Sequence, residues 1–230
     1  MIEGSGNQLK GYQNKVSGEG NSLIGANSIV LGDLNKLFGL DNTVFGSRNT
    51  IFKGNNNQIK GSDNAMLGSN NTAVGDANTI KGHNNTAAGN QNMMEGNQNI
   101  AVGDKNMMQG DQNIALGDQN AIKGNKNAVN GSKNRIKGSE TVINGNKNEV
   151  VGDRNTINQD SNKVAGSDNT VDGNVNQVIG DKNAIEGDYN AVKGSENDLK
   201  GNQNLVAGDM NAVEGNRNGI GGSNNTVQGD

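Results

Sequence analysis

The chain has 230 residues, with 20 Lys and Arg against 24 Asp and Glu, a net charge of −4, one His, and no Cys, Pro or Trp. This balance offers no basic surface to nucleic acid or to an anionic membrane, and without Cys there are no disulfides, thiolate metal sites or Cys nucleophile. Apolar residues make up 30% and aromatics 2%, where a compact domain of this size is normally about half apolar, so an ordinary globular core is excluded. No apolar run approaches the ~18 residues of a membrane span, and no basic-then-apolar leader opens the sequence.

Self-comparison replaces the core argument with a repeat. Gly stands at 4, 11, 18, 25, 32, 39 and 46, then at every seventh position from 54 to 229, with Gln159 the one departure. Asn follows three residues after each Gly, except at Ser28 and Thr141, and an apolar residue follows two after that in every unit. The unit Gly-x-x-Asn-x-Φ-x accounts for residues 4–228, with one inserted residue near Phe52-Lys53. Disordered polar tracts have no reason to keep an apolar residue in phase over the whole chain. A helical heptad is excluded as well, because one Gly per seven residues costs ~1 kcal/mol each in a helix and a coiled-coil seam needs two apolar positions.

Asn, Gly and β-branched residues fit short strands joined by tight turns. In chain order, strands are expected around Leu9, Val16, Leu23, Val30, Leu37, Val44 and Ile51, then from Ile59 onward at every seventh residue to Val227. Asn and Φ alternate with period two and so share the inner side of each strand, while Gly and the next two residues turn the corner. Ala73, Ala87, Ala101 and Ala115 lie 14 apart, with Met66, Ile80, Met94, Met108 and Ile122 between them. Small residues on one strand facing large ones on the other fill a thin core at constant volume, which sets the coil at two heptads. The expected fold is all-β: one parallel two-sided β-solenoid over 1–230, a β-roll of about 16 coils and ~75 Å at ~4.8 Å per coil. A buried Asn in every heptad must be satisfied, so two internal Asn ladders are expected.

The outward residues divide into two faces. Face A carries Ile29/Leu31, Thr43/Phe45, Gln58/Lys60, Thr72/Val74, Thr86/Ala88, Ile100/Val102, Ile114/Leu116, Ala128/Asn130, Val142/Asn144, Thr156/Asn158 and Thr170/Asp172. From Ile29 to Thr170 its one charge is Lys60. Face B reads Thr79/Lys81, Met93/Glu95, Met107/Gln109, Ala121/Lys123 and Arg135/Lys137 over part of the same stretch. If the insertion near Phe52 skips a face, the first three face-A pairs move across. Thr72, Val74, Thr86, Ala88, Ile100, Val102, Ile114, Leu116, Thr156 and Thr170 form the candidate binding face. An uncharged strip over about ten coils matches the largest apolar patches of soluble monomers.

No catalytic, metal or cofactor constellation competes with that face. His83 sits alone at a turn. Asp recurs directly after Gly, as at Asp76, Asp104, Asp118 and Asp181, but Ser and Asn substitute for it at Ser69, Asn90 and Ser132, as ordinary turn residues do. The Gly-rich stretch Gly18-Glu19-Gly20 precedes no helix, which excludes a phosphate loop. Tyr12 and Tyr189 are too scattered to stack bases. Asn70, Asn84 and Asn224 head Asn-x-Thr sequons, which matter only in a glycosylating host.

Two family resemblances follow from the repeat. Gly68-Ser69-Asn70-Asn71-Thr72-Ala73-Val74 and Gly166-Ser167-Asp168-Asn169-Thr170-Val171-Asp172 resemble the x-x-Asn-x-Val-x-Gly heptad of plant ice-recrystallisation-inhibition proteins. Asn99-Ile100-Ala101-Val102-Gly103 and Asn113-Ile114-Ala115-Leu116-Gly117 are similar to the strands of trimeric autotransporter adhesin heads. The first resemblance covers nearly the whole chain, the second residues 68–116. Together they imply a left-handed roll and an extracellular or cell-surface setting. The leading expectation is a non-enzymatic structural or adhesive module whose face A joins it to itself, as dimer or trimer, or to a surface. The alternative is ice binding by the same face. Neither nucleic acid nor membrane insertion is expected.

Overall fold

The computed structural model describes residues 1–229, and among them every regular element is a short strand. Apart from Ile2–Glu3, each strand is three residues long and holds the apolar residue of one heptad at its centre. Among the described residues no helix is long and apolar enough to cross a membrane. The chain divides into two compact units, Met1–Asp118 and Gln119–Asp230.

In the first unit, alternate strands stack into two parallel sheets. Face A runs from Ile2–Glu3 through Lys15–Ser17, Ile29–Leu31, Thr43–Phe45, Gln58–Lys60, Thr72–Val74, Thr86–Ala88 and Ile100–Val102 to Ile114–Leu116. Face B takes the strands between, from Gln8–Lys10 to Met107–Gln109. Strand partners lie 14 residues apart, as in Thr72 with Thr86 and Met93 with Met107. The second unit repeats the arrangement, with Ala128 paired to Val142 on face A and Ala121 to Arg135 on face B. The 14-residue coil, the two sheets and the strand in every heptad agree with the sequence reading.

The inserted residue is absorbed in a corner and skips no face. Thr43 pairs with Gln58 and Thr50 with Ala65, so the spacing becomes 15 once on each face and then returns to 14. Lys53 takes φ 51° there. Ile29, Leu31, Thr43 and Phe45 therefore stay on face A.

The core is one layer of apolar side chains between two rows of amides. Ala73, Ala87, Ala101 and Ala115 on face A are opposed by Met66, Ile80, Met94 and Met108 on face B, all nearly inaccessible. The Asn residues beside them are equally buried. Asn99 shows the arrangement. Its Nδ2 donates to Asn85 Oδ1 (3.1 Å) in the coil before and to the Gly110 carbonyl (2.8 Å) in the coil after. Its Oδ1 accepts from Asn113 N (3.0 Å) and Asn113 Nδ2 (3.1 Å). All four hydrogen-bonding positions of the amide are filled. The second unit holds the same ladder, for example at Asn183 between Asn169 and Asn197. Where Ser28 replaces Asn, its hydroxyl donates to the Ala26 carbonyl (3.3 Å) and accepts from Asn42 N (3.3 Å). Among the described residues no buried side-chain nitrogen or oxygen lacks a partner.

Two backbone constraints define each corner. Except at Gly54, beside the inserted residue, the corner Gly carries a positive φ, 152° at Gly25, and a Cβ built there would overlap the carbonyl oxygen of Gly39 in the next coil. Two residues later the chain passes through the left-handed region whatever the side chain: Leu34 at φ 58°, Ala77 at 58°, Val175 at 59° and Tyr189 at 59°. Such a conformation costs an L-residue about 1–2 kcal/mol. It persists because it aims the backbone N–H along the roll axis, as in Ala77 N to Ser62 O (2.9 Å). The sequence reading placed positive φ at the Gly alone.

Gln159 is where the pattern is weakest. It holds φ 74° in a position otherwise given to Gly. In the next coil the Gly173 N to Asn158 O bond lengthens to 3.4 Å, against 2.8 Å from Gly187 N to Asp172 O and 2.9 Å from Gly166 N to Val151 O.

Three stability changes are expected. Asn99→Leu keeps the side chain's size but strands the Gly110 carbonyl and the Asn113 amide, and should destabilise by about 1–3 kcal/mol per stranded group. Val175→Asn and Gln159→Gly each relieve a disfavoured φ and should stabilise by about 0.5–1 kcal/mol. Urea denaturation followed by circular dichroism measures all three; a lower midpoint for Val175→Asn would contradict the account of the corner.

Candidate binding face

Eight of the ten candidate residues meet on face A of the first unit. Thr72, Thr86, Ile100 and Ile114 form one row in strict register, and Val74, Ala88, Val102 and Leu116 form the other. Neighbouring strands are ~4.8 Å apart and alternate residues along a strand ~6.7 Å, so the eight side chains occupy a nearly rectangular grid. The large apolar members are exposed to a similar degree: Val74 45%, Ile100 38%, Val102 44%, Ile114 39% and Leu116 42%. The grid has no charge and ends at Lys60, which pairs with Val74.

The other two candidates lie in the second unit. Thr156 pairs with Thr170 on its face A, in a row that begins with Ala128 and Val142 and continues to Ala184. The parallel row is Asn130, Asn144, Asn158 and Asp172, with Asn144 Nδ2 donating to Asn158 Oδ1 (3.3 Å). This surface is polar along one edge, unlike the grid of the first unit.

Face B of the first unit differs from face A over the same coils. Lys81 Nζ lies 2.7 Å from Glu95 Oε1, and the carboxyl is held below its ordinary pKa mainly by that hydrogen bond. Toward the N-terminus, however, face B carries an apolar stripe absent from the sequence reading. Ile24, Phe38, Phe52 and Leu67 are all exposed, and the Phe38 and Phe52 rings stack with centroids 6.3 Å apart. The signal was available, since these residues recur at the coil spacing, but the faces were contrasted only from Thr79 onward.

The corners show why the residue after Gly is so often Asp, Asn or Ser. Asp76 Oδ1 accepts from Ser62 N (2.7 Å), and Asp104 Oδ1 accepts from Asn90 N (2.7 Å). Each side chain satisfies a backbone N–H of the preceding coil. His83 fills the same place, with Nδ1 accepting from Ser69 N (3.0 Å). His83 is exposed at its turn, as the sequence places it, and its side chain in addition joins the corner ladder.

Residues 25–110, 97–187 and 159–229 match the model of the grass antifreeze beta roll family. Among solved structures, the chain is similar to the polySia-specific acetyltransferase NeuO at 12% identity and a TM-score of 0.16, over 80% of this chain and 81% of that one. It is also similar to the UDP-N-acetylglucosamine O-acyltransferase LpxA of Moraxella catarrhalis RH4 at 15% identity and a TM-score of 0.13, over 92% of this chain and 64% of that one. No curated protein matches the sequence.

Because the face-A grid lies outside the core, charging it should leave the fold intact. Ile100→Lys with Ile114→Lys is expected to change unfolding free energy by no more than about 0.5 kcal/mol per site, measured by denaturation of the purified variant.

Proposed function

The chain belongs to the grass antifreeze beta roll family, and from that premise we propose that it binds ice through face A of the first unit. Family membership favours this reading over adhesion or self-association through the same face. The single observation that carries it to particular residues is the uncharged two-row grid from Thr72 to Leu116.

Ice presents a fixed lattice, so a binding surface gains when its groups repeat at fixed spacing and do not hold water in a competing arrangement. The register of face A supplies the spacing. Its aliphatic side chains favour release of water or its retention as an ordered cage, and the Thr72 and Thr86 hydroxyls offer donors and acceptors to that layer. A Lys ammonium would do the opposite, because it is compact and strongly hydrated. The face needs no titrating group, metal or cofactor, and the reading is non-enzymatic. The rigidity of the ladder matters here, since a surface already ordered loses little conformational entropy on adsorption.

An ice-recrystallisation assay tests the proposal. Wild-type protein should inhibit recrystallisation at micromolar concentration. Thr86→Lys, at the centre of the grid, should abolish inhibition, whereas Thr79→Lys on face B should retain it. Equal activity in all three proteins would remove face A as the ice-binding surface.

A further inference from the structure

All three Phe residues of the chain, Phe38, Phe45 and Phe52, are exposed. In a sequence so poor in apolar residues, large aromatics are normally spent on the core. Phe38 and Phe52 lie on face B of the first unit, away from the grid assigned to ice. Along this column the outward residues run Lys10, Ile24, Phe38, Phe52, Leu67, Lys81, with Ile24 paired to Phe38 and Phe52 to Leu67. Exposures are 46% for Ile24, 43% for Phe38, 54% for Phe52 and 39% for Leu67.

We infer that this stripe is the contact of a homodimer, in which two copies meet face B to face B. The two-fold axis runs parallel to the strands, between Lys36–Phe38 and Thr50–Phe52. The order of the column points to a second copy as the occupant, because it reads nearly the same in both directions: Lys, aliphatic, Phe, Phe, aliphatic, Lys. An isologous contact sets one patch against itself, and this order brings the four apolar residues of each copy onto those of the other, with the Lys residues left at the rim. Rotation about the axis sets Phe38 against the partner's Phe52 and Ile24 against the partner's Leu67, each twice. In the parallel column it sets Lys36 against the partner's Thr50 and Ser22 against the partner's Ala65, while Lys53 Nζ lies 5.5 Å from the centroid of its own Phe52 ring at the edge of the stripe and keeps its charge on that aromatic face. At the rim, Lys10 approaches the partner's Lys81, whose charge is already paired with Glu95 at 2.7 Å.

The contact is small. Six coils at ~4.8 Å and a strip ~14 Å wide bury about 400 Å² per copy, roughly 800 Å² in all, which is below the ~1,000 Å² of a stable interface, so a weak, rapidly reversible dimer that forms only toward the upper end of the micromolar range is expected. The geometry leaves face A of both copies turned outward. The dimer does not depend on the ice reading, and the two are tested by different measurements.

Sedimentation velocity of the full chain between about 2 and 200 μM decides the matter. Wild type should pass from monomer to dimer over that range. Phe38→Lys with Phe52→Lys should weaken association at least ten-fold while circular dichroism and the unfolding midpoint stay unchanged. Should that variant fail to fold, Phe38→Thr with Phe52→Thr keeps strand propensity and removes the rings. Ile100→Lys with Ile114→Lys, on face A, should dimerise as wild type does. A wild-type monomer throughout, or a dimer that survives loss of both rings, overturns the inference, as does one broken only by the face-A pair.

Discussion

The buried asparagine amide is the interaction on which the rest of this structure depends. A roll of two three-residue strands per coil is too thin to exclude water by apolar volume alone. Each coil buries one apolar side chain per strand, and an adjacent amide would be a liability if any of its bonds were missing. At Asn99 none is missing, because Asn85, Asn113 and Gly110 complete its set. The amide also bonds the backbone N–H of Asn113, so the ladder fixes the stagger of the coils as well as their separation. A slip by one residue would turn every Asn outward and break both rows at once.

The corners follow from the same requirement. For Asn99 Nδ2 to reach the Gly110 carbonyl, successive corner glycines must approach too closely to tolerate a Cβ. The left-handed residue two positions on then directs the next N–H along the axis. Inner positions and corner glycines are thereby committed to the fold, and only the first and third strand positions and two corner side chains remain free to vary. Whatever distinguishes one stretch of roll from another must be written there. The grid from Thr72 to Leu116 and the Phe38–Phe52 stripe are both composed of such positions.

Much of this was legible in the sequence because strict seven-residue spacing carries little ambiguity. Gly4 to Gly229 gave the corners, Asn the ladder, and alternation of Ala73 and Ala87 with Ile80 and Met94 gave two faces per coil. What escaped lay where residue type does not report conformation. Leu34, Ala77 and Val175 are poor left-handed residues, and nothing in their identity announces φ near 58°. The long-range bond geometry imposes it over local preference. The Asp and Asn residues after Gly looked like turn formers, yet Asp104 works through a carboxylate oxygen that reaches Asn90 N in the preceding coil. The candidate grid was legible as a run of uncharged outward pairs, while its function was not. Thr, Val and Ile in register suit ice, a partner chain or a structural role alike, so side-chain chemistry by itself does not choose among them.

A fold held by uncharged amides also differs from one held by ion pairs in its response to solution conditions. Arg48 makes a two-pronged contact with Asp63 across adjacent coils, and Arg154 does the same with Asp168. Both carboxyls are held below their ordinary pKa, chiefly by the hydrogen bonds from the guanidinium. Stabilisation from such pairs is present above the unfolded carboxylate pKa and is lost as pH falls through the lowered folded value. These side chains are well exposed, however, and exposed pairs are screened by solvent and salt. The Asn amides do not titrate and are shielded from ions. Acid and salt therefore act on the decoration of the roll before its frame, and the spacing of the face-A grid depends on the frame.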